Sequence, residues 1–239
     1  MRKYIEGGEL AERNISDIFW KCIKLMVEGK ESEAIEVARS TGAILGNVAV
    51  EYASAPKRTY LVGMSANRLA YLSAKLFFTA SMKDAFSNFV RRGNGFPSIV
   101  AGMDRLIKER PEVVEWLREE MEEDPNPVLA ILSKINNEEV EEKFKMELME
   151  IAKEEIDDMQ YMALEALRNI AKKDEEVQKV FIALIDDWDE RVRLLSAEAM
   201  QGVKNRLLAE QAKKALKEET NKYIIYLLQK IIEYNEEKE

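Results

Sequence analysis

Apolar residues recur every three or four positions along this chain, the spacing that puts them on one face of a helix. Ile15, Ile18, Phe19, Cys22, Ile23 and Met26 form the first such stripe and predict a helix from about Leu10 to Glu28. Gly29 ends it, since glycine takes a left-handed backbone at little cost. Ser32 offers an N-cap for a second helix, whose buried side runs through Ala34, Ile35, Val37, Ala38, Thr41, Ile44, Leu45 and Val48. Pro56, within Ser54–Arg58, breaks that helix. Residues Thr59 to Ala80 read as a helix crowded with Gly63, Ser65, Ala66, Ala70, Ser73 and Ala74, which suit close packing of neighbouring helices. A shorter helix, Met82 to Arg92, ends in the loop Arg91-Arg-Gly-Asn-Gly-Phe-Pro97. Ser98 is placed to cap a helix over Ile99–Arg110, and Pro111 to open the next at its first position.

Asp124-Pro-Asn-Pro127 divides the chain into an N-terminal helical region, 1–123, and a periodic region, 124–239. In the periodic region Val192, Leu195, Ser196, Ala199, Met200 and Val203 shift back by about 33 residues onto Met159, Met162, Ala163, Ala166, Leu167 and Ile170. A forward shift of about 32 gives Ile224, Leu227, Leu228, Ile231, Ile232 and Asn235. Partner helices with their own stripes fall between these, at Val140–Ile151, Val177–Ile185 and Leu207–Leu216. A helical pair every 31–33 residues predicts units that bury their apolar faces only by stacking on one another.

One copy, Asp189-Glu-Arg-Val-Arg193 followed by Ala197, Ala199, Met200 and Gly202, resembles a HEAT repeat of the short, lyase-associated type. The resemblance covers roughly 127–239. It departs in the other copies, where Gln160 and Ile225 stand at the position of Arg193. It implies an all-α fold, a right-handed α-α superhelix of HEAT-like solenoid type with a divergent helical N-terminal half. It also implies that Arg193 lies between adjacent units and bonds a neighbouring turn.

Charge changes this picture more than bulk composition does. The 239 residues carry a net charge of −9, unevenly spread. Residues 54–110 hold ten basic and three acidic groups, net +7, whereas 111–239 hold nineteen basic and thirty-three acidic, net −14. The basic middle is interleaved with aromatics, and Lys57, Arg58, Arg68, Arg91 and Arg92 are the candidate anion- or partner-binding residues. The same cations have structural readings, either snorkelling singly to water or docking on acidic helices of this chain or a second copy.

Catalytic vocabulary is thin. The chain has no histidine and one cysteine, Cys22, which sits on an apolar helix face where an inert buried thiol is the plain expectation. Neither a phosphate-cradling nor a dinucleotide-binding glycine motif occurs. The acidic run Asp186, Asp187, Asp189, Glu190 lacks calcium-loop spacing and reads as a helix start favoured by the dipole. We therefore expect no catalytic, metal or cofactor site. Nothing in the start M-R-K-Y-I-E suggests a secretory signal, and no stretch approaches a membrane span, so a cytoplasmic protein is expected. Abundant Glu and Lys, with only five Gln, is compatible with a thermophilic source. The function expected is a non-catalytic scaffold or adaptor for another protein, with homo-oligomerisation open. Nucleic-acid binding through 54–110 is the alternative, and a DNA-repair glycosylase-like enzyme the catalytic one.

Overall fold

In the computed structural model residues 2–55, 63–135 and 137–236 are described, with side chains from residue 14 onward. The described residues form fourteen α-helices and no strand. None of these helices is long and apolar enough to cross a membrane. Two compact units divide the chain, Met1–Ile131 and Leu132–Glu239, and the division falls inside the helix that Pro125 opens.

The first unit begins with α1 (Arg2–Val27), α2 (Glu31–Arg39) and α3 (Ile44–Ala53). Gly29 follows α1 with φ +76°, as its position requires. The second expected helix is two helices here. Ser40-Thr-Gly42, with Gly42 at φ +72°, turns the chain between α2 and α3. Ser32 lies inside α2 and is not its cap.

The unit continues with α4 (Ala66–Thr79), α5 (Lys83–Gly93), α6 (Pro97–Glu109), α7 (Val113–Glu123) and α8 (Pro125–Leu132). Ser65 caps α4 by accepting from the Arg68 N–H. Pro97, whose ring presets a helical φ, is already the first residue of α6. Ser98 is thus released from capping, and its hydroxyl donates to the Ala53 carbonyl at 2.8 Å.

Helices in this unit approach closely where side chains are smallest. α4 packs along α6 with Gly102 on the Ala70–Tyr71 backbone; a methyl group at Gly102 would lie 2.7 Å from the Tyr71 nitrogen and 2.8 Å from Ala70 Cβ. α3 packs on α5, where a methyl at Gly46 would be driven into the Ala85 carbonyl. Around these crossings Phe19, Phe77, Phe86 and Phe89 are fully buried, each such ring contributing about 1.5–3 kcal/mol. Trp116 meets Phe78 and Phe86 edge-on at 5.0 and 5.3 Å, which docks α7.

The second unit consists of three helical pairs. These are α9 (Glu138–Glu154) with α10 (Asp157–Leu167), α11 (Glu175–Ala183) with α12 (Glu190–Ala199), and α13 (Arg206–Ala215) with α14 (Lys222–Glu236). α10 packs on α12 and α12 on α14; α9 packs on α11 and α11 on α13. Most apolar positions aligned by the repeat shifts are buried, among them Ala163, Ala166, Leu167, Val192, Leu195, Ala199, Ile224, Leu227 and Leu228, while Met159, Met162 and Ile232 are half-buried.

Polar side chains join one pair to the next. Glu141, 3% exposed in α9, accepts from the backbone N–H groups of Asn169 and Ile170 and from the Asn169 amide. Asn235 of α14 accepts from the Asn205 N–H at 2.7 Å and donates to the Val203 carbonyl at 3.1 Å. Arg193 donates to the Asp187 and Trp188 carbonyls at 2.9 and 3.1 Å and to Glu219, in the turn after α13, at 2.7 Å. At the aligned position in α10, the Gln160 amide donates to the Ala152 carbonyl near the end of α9. Arg193 therefore joins its pair to the next through Glu219, whereas Gln160 bonds only within its own pair.

Candidate functional site

Of the sequence-predicted site residues, Lys57 and Arg58 lie outside the described residues. The other three are placed apart by their helices. Arg68 is exposed in the first turn of α4, and among the described residues its side chain makes no ion pair. Arg91 and Arg92 end α5, and one residue along a helix is a rotation of about 100°, so they face different neighbours. Arg91 pairs with buried Glu120 and, at 2.6 Å, with Glu123, both on α7. Arg92 instead lines a cavity beside α1 and α3.

Other cations of the basic middle resemble Arg91. Lys75 bridges Glu31 of α2 and Glu109 of α6 at 2.9 Å each. Burial opposes the Lys75 charge, but the two carboxylates hold its pKa well above the ordinary lysine value. Lys83 pairs with Glu119 at 2.5 Å, and Lys108 with Asp104 at 2.8 Å. Arg105 stacks over the Tyr71 ring at 4.0 Å, and the Tyr71 hydroxyl donates to Glu109. These contacts hold the Glu109 carboxyl below its ordinary value, first through Tyr71 and then Lys75. Four of the ten cations read from 54–110, Lys75, Lys83, Arg91 and Lys108, thus pair with carboxylates within this unit.

Two cavities flank α5. One, about 410 Å3, lies against Trp116 between α5 and α7; of its charged lining Lys83, Arg91, Glu119, Glu120 and Glu123 are already paired, and Asp84 is the remaining charge. The other, about 920 Å3, takes its lining from α1 (Ile15, Asp17), α3 (Ile44, Asn47, Glu51, Tyr52) and Arg92 of α5. Among the described residues neither Arg92 nor Asp17 has an ion-pair partner. The Asn47 Oδ1 atom is shielded from water and accepts no hydrogen bond.

In the second unit the outward positions of α10, α12 and α14 form a ladder. The Arg191 guanidinium donates to Asp158 of α10 at 2.7 Å and lies over the Tyr161 ring at 5.5 Å. Arg168 of α10 donates to Glu198 of α12 at 3.2 Å. The Gln201 amide donates to the Leu227 carbonyl of α14 at 3.1 Å. On α14 the positions aligned with Arg191 and Leu194 are Tyr223 and Tyr226, each 52% exposed, and Tyr234, 43% exposed, lies on the same side. Tyr226 and Tyr234 flank Lys230 in a shallow hollow of about 320 Å3. Sequence analysis singles out no residue of this face. The signal was present, because spacings of 3 and 8 place the three rings within one side of a helix.

Cys22 is fully buried, and burial pushes its thiol up to about 11, so little thiolate forms near neutrality. Among the described residues no three carboxylate or thiol side chains gather where they would hold a metal ion. Comparison with protein-family models, with curated proteins and with solved structures finds no match to this chain.

Proposed function

We propose that this chain is a non-catalytic, HEAT-like helical-repeat protein, its second unit a right-handed α-α superhelix that holds another protein on the α10–α12–α14 side. The observation that carries this reading is the ladder on that side. Charged groups of α10 and α12 satisfy one another, and the row ends in three half-exposed tyrosines on α14. Tyrosine presents a large contact area with only two rotatable side-chain angles and keeps a hydroxyl for hydrogen bonding, so it loses little entropy when a polypeptide docks on it. Pairing of Arg91, Lys75, Lys83 and Lys108 inside the first unit weighs against nucleic-acid binding, which draws its affinity from cations free to replace phosphate counterions.

A photo-crosslinking residue placed at Tyr226, and separately at Lys217 in the turn after α13, tests the reading in source lysate. The expected result is one protein adduct at Tyr226, absent at Lys217 and lost when Tyr223 and Tyr234 are changed to Ser. Identical adducts at both positions, or none at either, would sink it. Salt-sensitive binding of single- or double-stranded oligonucleotides, abolished by Arg68→Gln and Arg92→Gln, would favour the nucleic-acid reading in its place.

A further inference from the structure

The cavity beside Arg92 has features that the paired groove on the other side of α5 lacks. Its volume, about 920 Å3, lies at the upper end of the usual range for small-molecule sites, about 300–1,000 Å3. Its walls are mixed, with Ile15, Ile44 and Val48 supplying apolar surface and Tyr52 an aromatic one. Arg92 brings a cation with no ion pair among the described residues, on a helix whose preceding arginine is doubly paired. Asp17, on the α1 side, brings an anion that likewise has none among them. Asn47 brings an amide whose oxygen is buried and unpaired, a state that costs about 1–3 kcal/mol. With no partner to hold it, that amide is free to turn towards a bound molecule, because its terminal torsion has broad minima.

The signs of these groups select a ligand class. A purely anionic molecule meets Arg92 but also Asp17 and Glu51. A purely cationic one meets the two carboxylates but also Arg92. A molecule carrying both an ammonium and a carboxylate satisfies each side, with Arg92 gripping the carboxylate in the two-pronged geometry natural to guanidinium. We propose that this cavity binds a zwitterionic amine–carboxylate molecule with an apolar side chain, that is, a free amino acid or a short peptide. The carboxylate goes to Arg92, the ammonium to Asp17, and the apolar group to Ile15, Ile44 and Val48. This site belongs to the first unit and does not depend on the docking face of the second.

Isothermal titration of the full chain with four probes tests the assignment: L-leucine, the tripeptide Ala-Leu-Ala, isovalerate and isoamylamine. Saturable binding of leucine or the tripeptide is expected, and whichever binds more tightly identifies the source. Isovalerate and isoamylamine, each keeping one charge, are expected to bind at least tenfold more weakly. Arg92→Gln and Asp17→Asn, both at exposed side chains where substitution disturbs the fold little, should each weaken the zwitterion at least tenfold. Arg68→Gln, an exposed cation that does not line the cavity, should leave binding unchanged. Absence of saturable binding by both zwitterions at millimolar concentration overturns the proposal. So does isovalerate binding as tightly as leucine, or full affinity in Arg92→Gln.

Discussion

The closest helix crossings of the first unit, α3 on α5 and α4 on α6, are made at Gly46 and Gly102. The joints between pairs in the second unit are made by Glu141, Arg193 and Asn235. Helix starts differ in the same way. In the second unit the side chains of Asn137, Asp174, Asp189, Asn205 and Asn221 each accept from backbone N–H groups of the helix that follows, and α10 begins without such a cap. In the first unit Ser65 does so for α4 and Asp124 for α8, whereas α2, α3, α5, α6 and α7 have no side-chain cap. A cap contributes about 1 kcal/mol, so the second unit fixes its helix boundaries locally while the first relies on packing. Contact between smooth backbones is intolerant of added volume; a polar joint is intolerant of losing one partner.

The largest test of that difference is Gly46→Ala. The methyl group has the Ala85 carbonyl in its way, so α3 and α5 must separate. A loss of about 3 kcal/mol is expected, read as a lowered urea midpoint with the slope unchanged. A midpoint within experimental scatter of the parent would show that the crossing yields easily. Next in size is Arg193→Ala. It strips two carbonyls of a donor and leaves Glu219, whose side chain is 2% exposed, without its counter-charge. About 2 kcal/mol is expected, less than for a fully buried pair because Arg193 is partly in water. Arg91→Ala also leaves Glu120, 5% exposed, without its cation, but it strips no backbone carbonyl, and more than a third of the Arg91 side chain and most of Glu123 are solvated, so it should cost less still. Equal losses from the two arginines would erase the distinction between the units.

The smallest effect is one of pH. Lys145, then the Val177 and Glu176 N–H groups, hold the Asp174 carboxyl below its ordinary value. A depressed folded pKa stabilises the fold above the unfolded value, about 4. That contribution is lost as pH falls through the folded pKa. Glu141 has the opposite sign. Burial raises its pKa, and the Asn169 and Ile170 donors do not fully offset this; its contribution is present below about pH 4 and is lost as pH rises. Asp174→Asn should therefore flatten the acid limb of a stability–pH curve by about 0.5–1 kcal/mol and leave the Glu141 trend in place. Urea midpoints measured from pH 3 to 7 check both signs, and an unchanged acid limb would remove Asp174 from the account.

Much of the helical content was legible because burial has a period. The stripes over Val177–Ile185 and Leu207–Leu216 became α11 and α13 within two residues at each end. The turn at Ser40–Gly42 was not legible, since apolar residues on both sides keep helical spacing and mask the break. Ser32 and Ser98 misled for a related reason. A serine near a helix start looks like a cap whether or not its hydroxyl is engaged elsewhere, and Ser98 bonds Ala53, forty-five residues away. The candidate site was legible only as composition. Sequence marks Arg91 and Arg92 as equal neighbours, but Glu120 and Glu123, about thirty residues later, neutralise one and leave the other facing a cavity. The tyrosines of α14 could be counted in the sequence, but only exposure separates them from core aromatics such as Phe86 and Phe89.

Asn235 stands in the last described turn of α14, where a helix ordinarily loosens first because its final carbonyls lack partners. Its side chain binds the Val203 carbonyl, the Asn205 N–H and the Ile231 carbonyl together. Fraying of this turn therefore requires the bend between α12 and α13 to open with it. Slow amide-hydrogen exchange near the end of α14 and in that bend becomes a single event rather than two, and the tyrosine face of α14 is held still by a residue outside it.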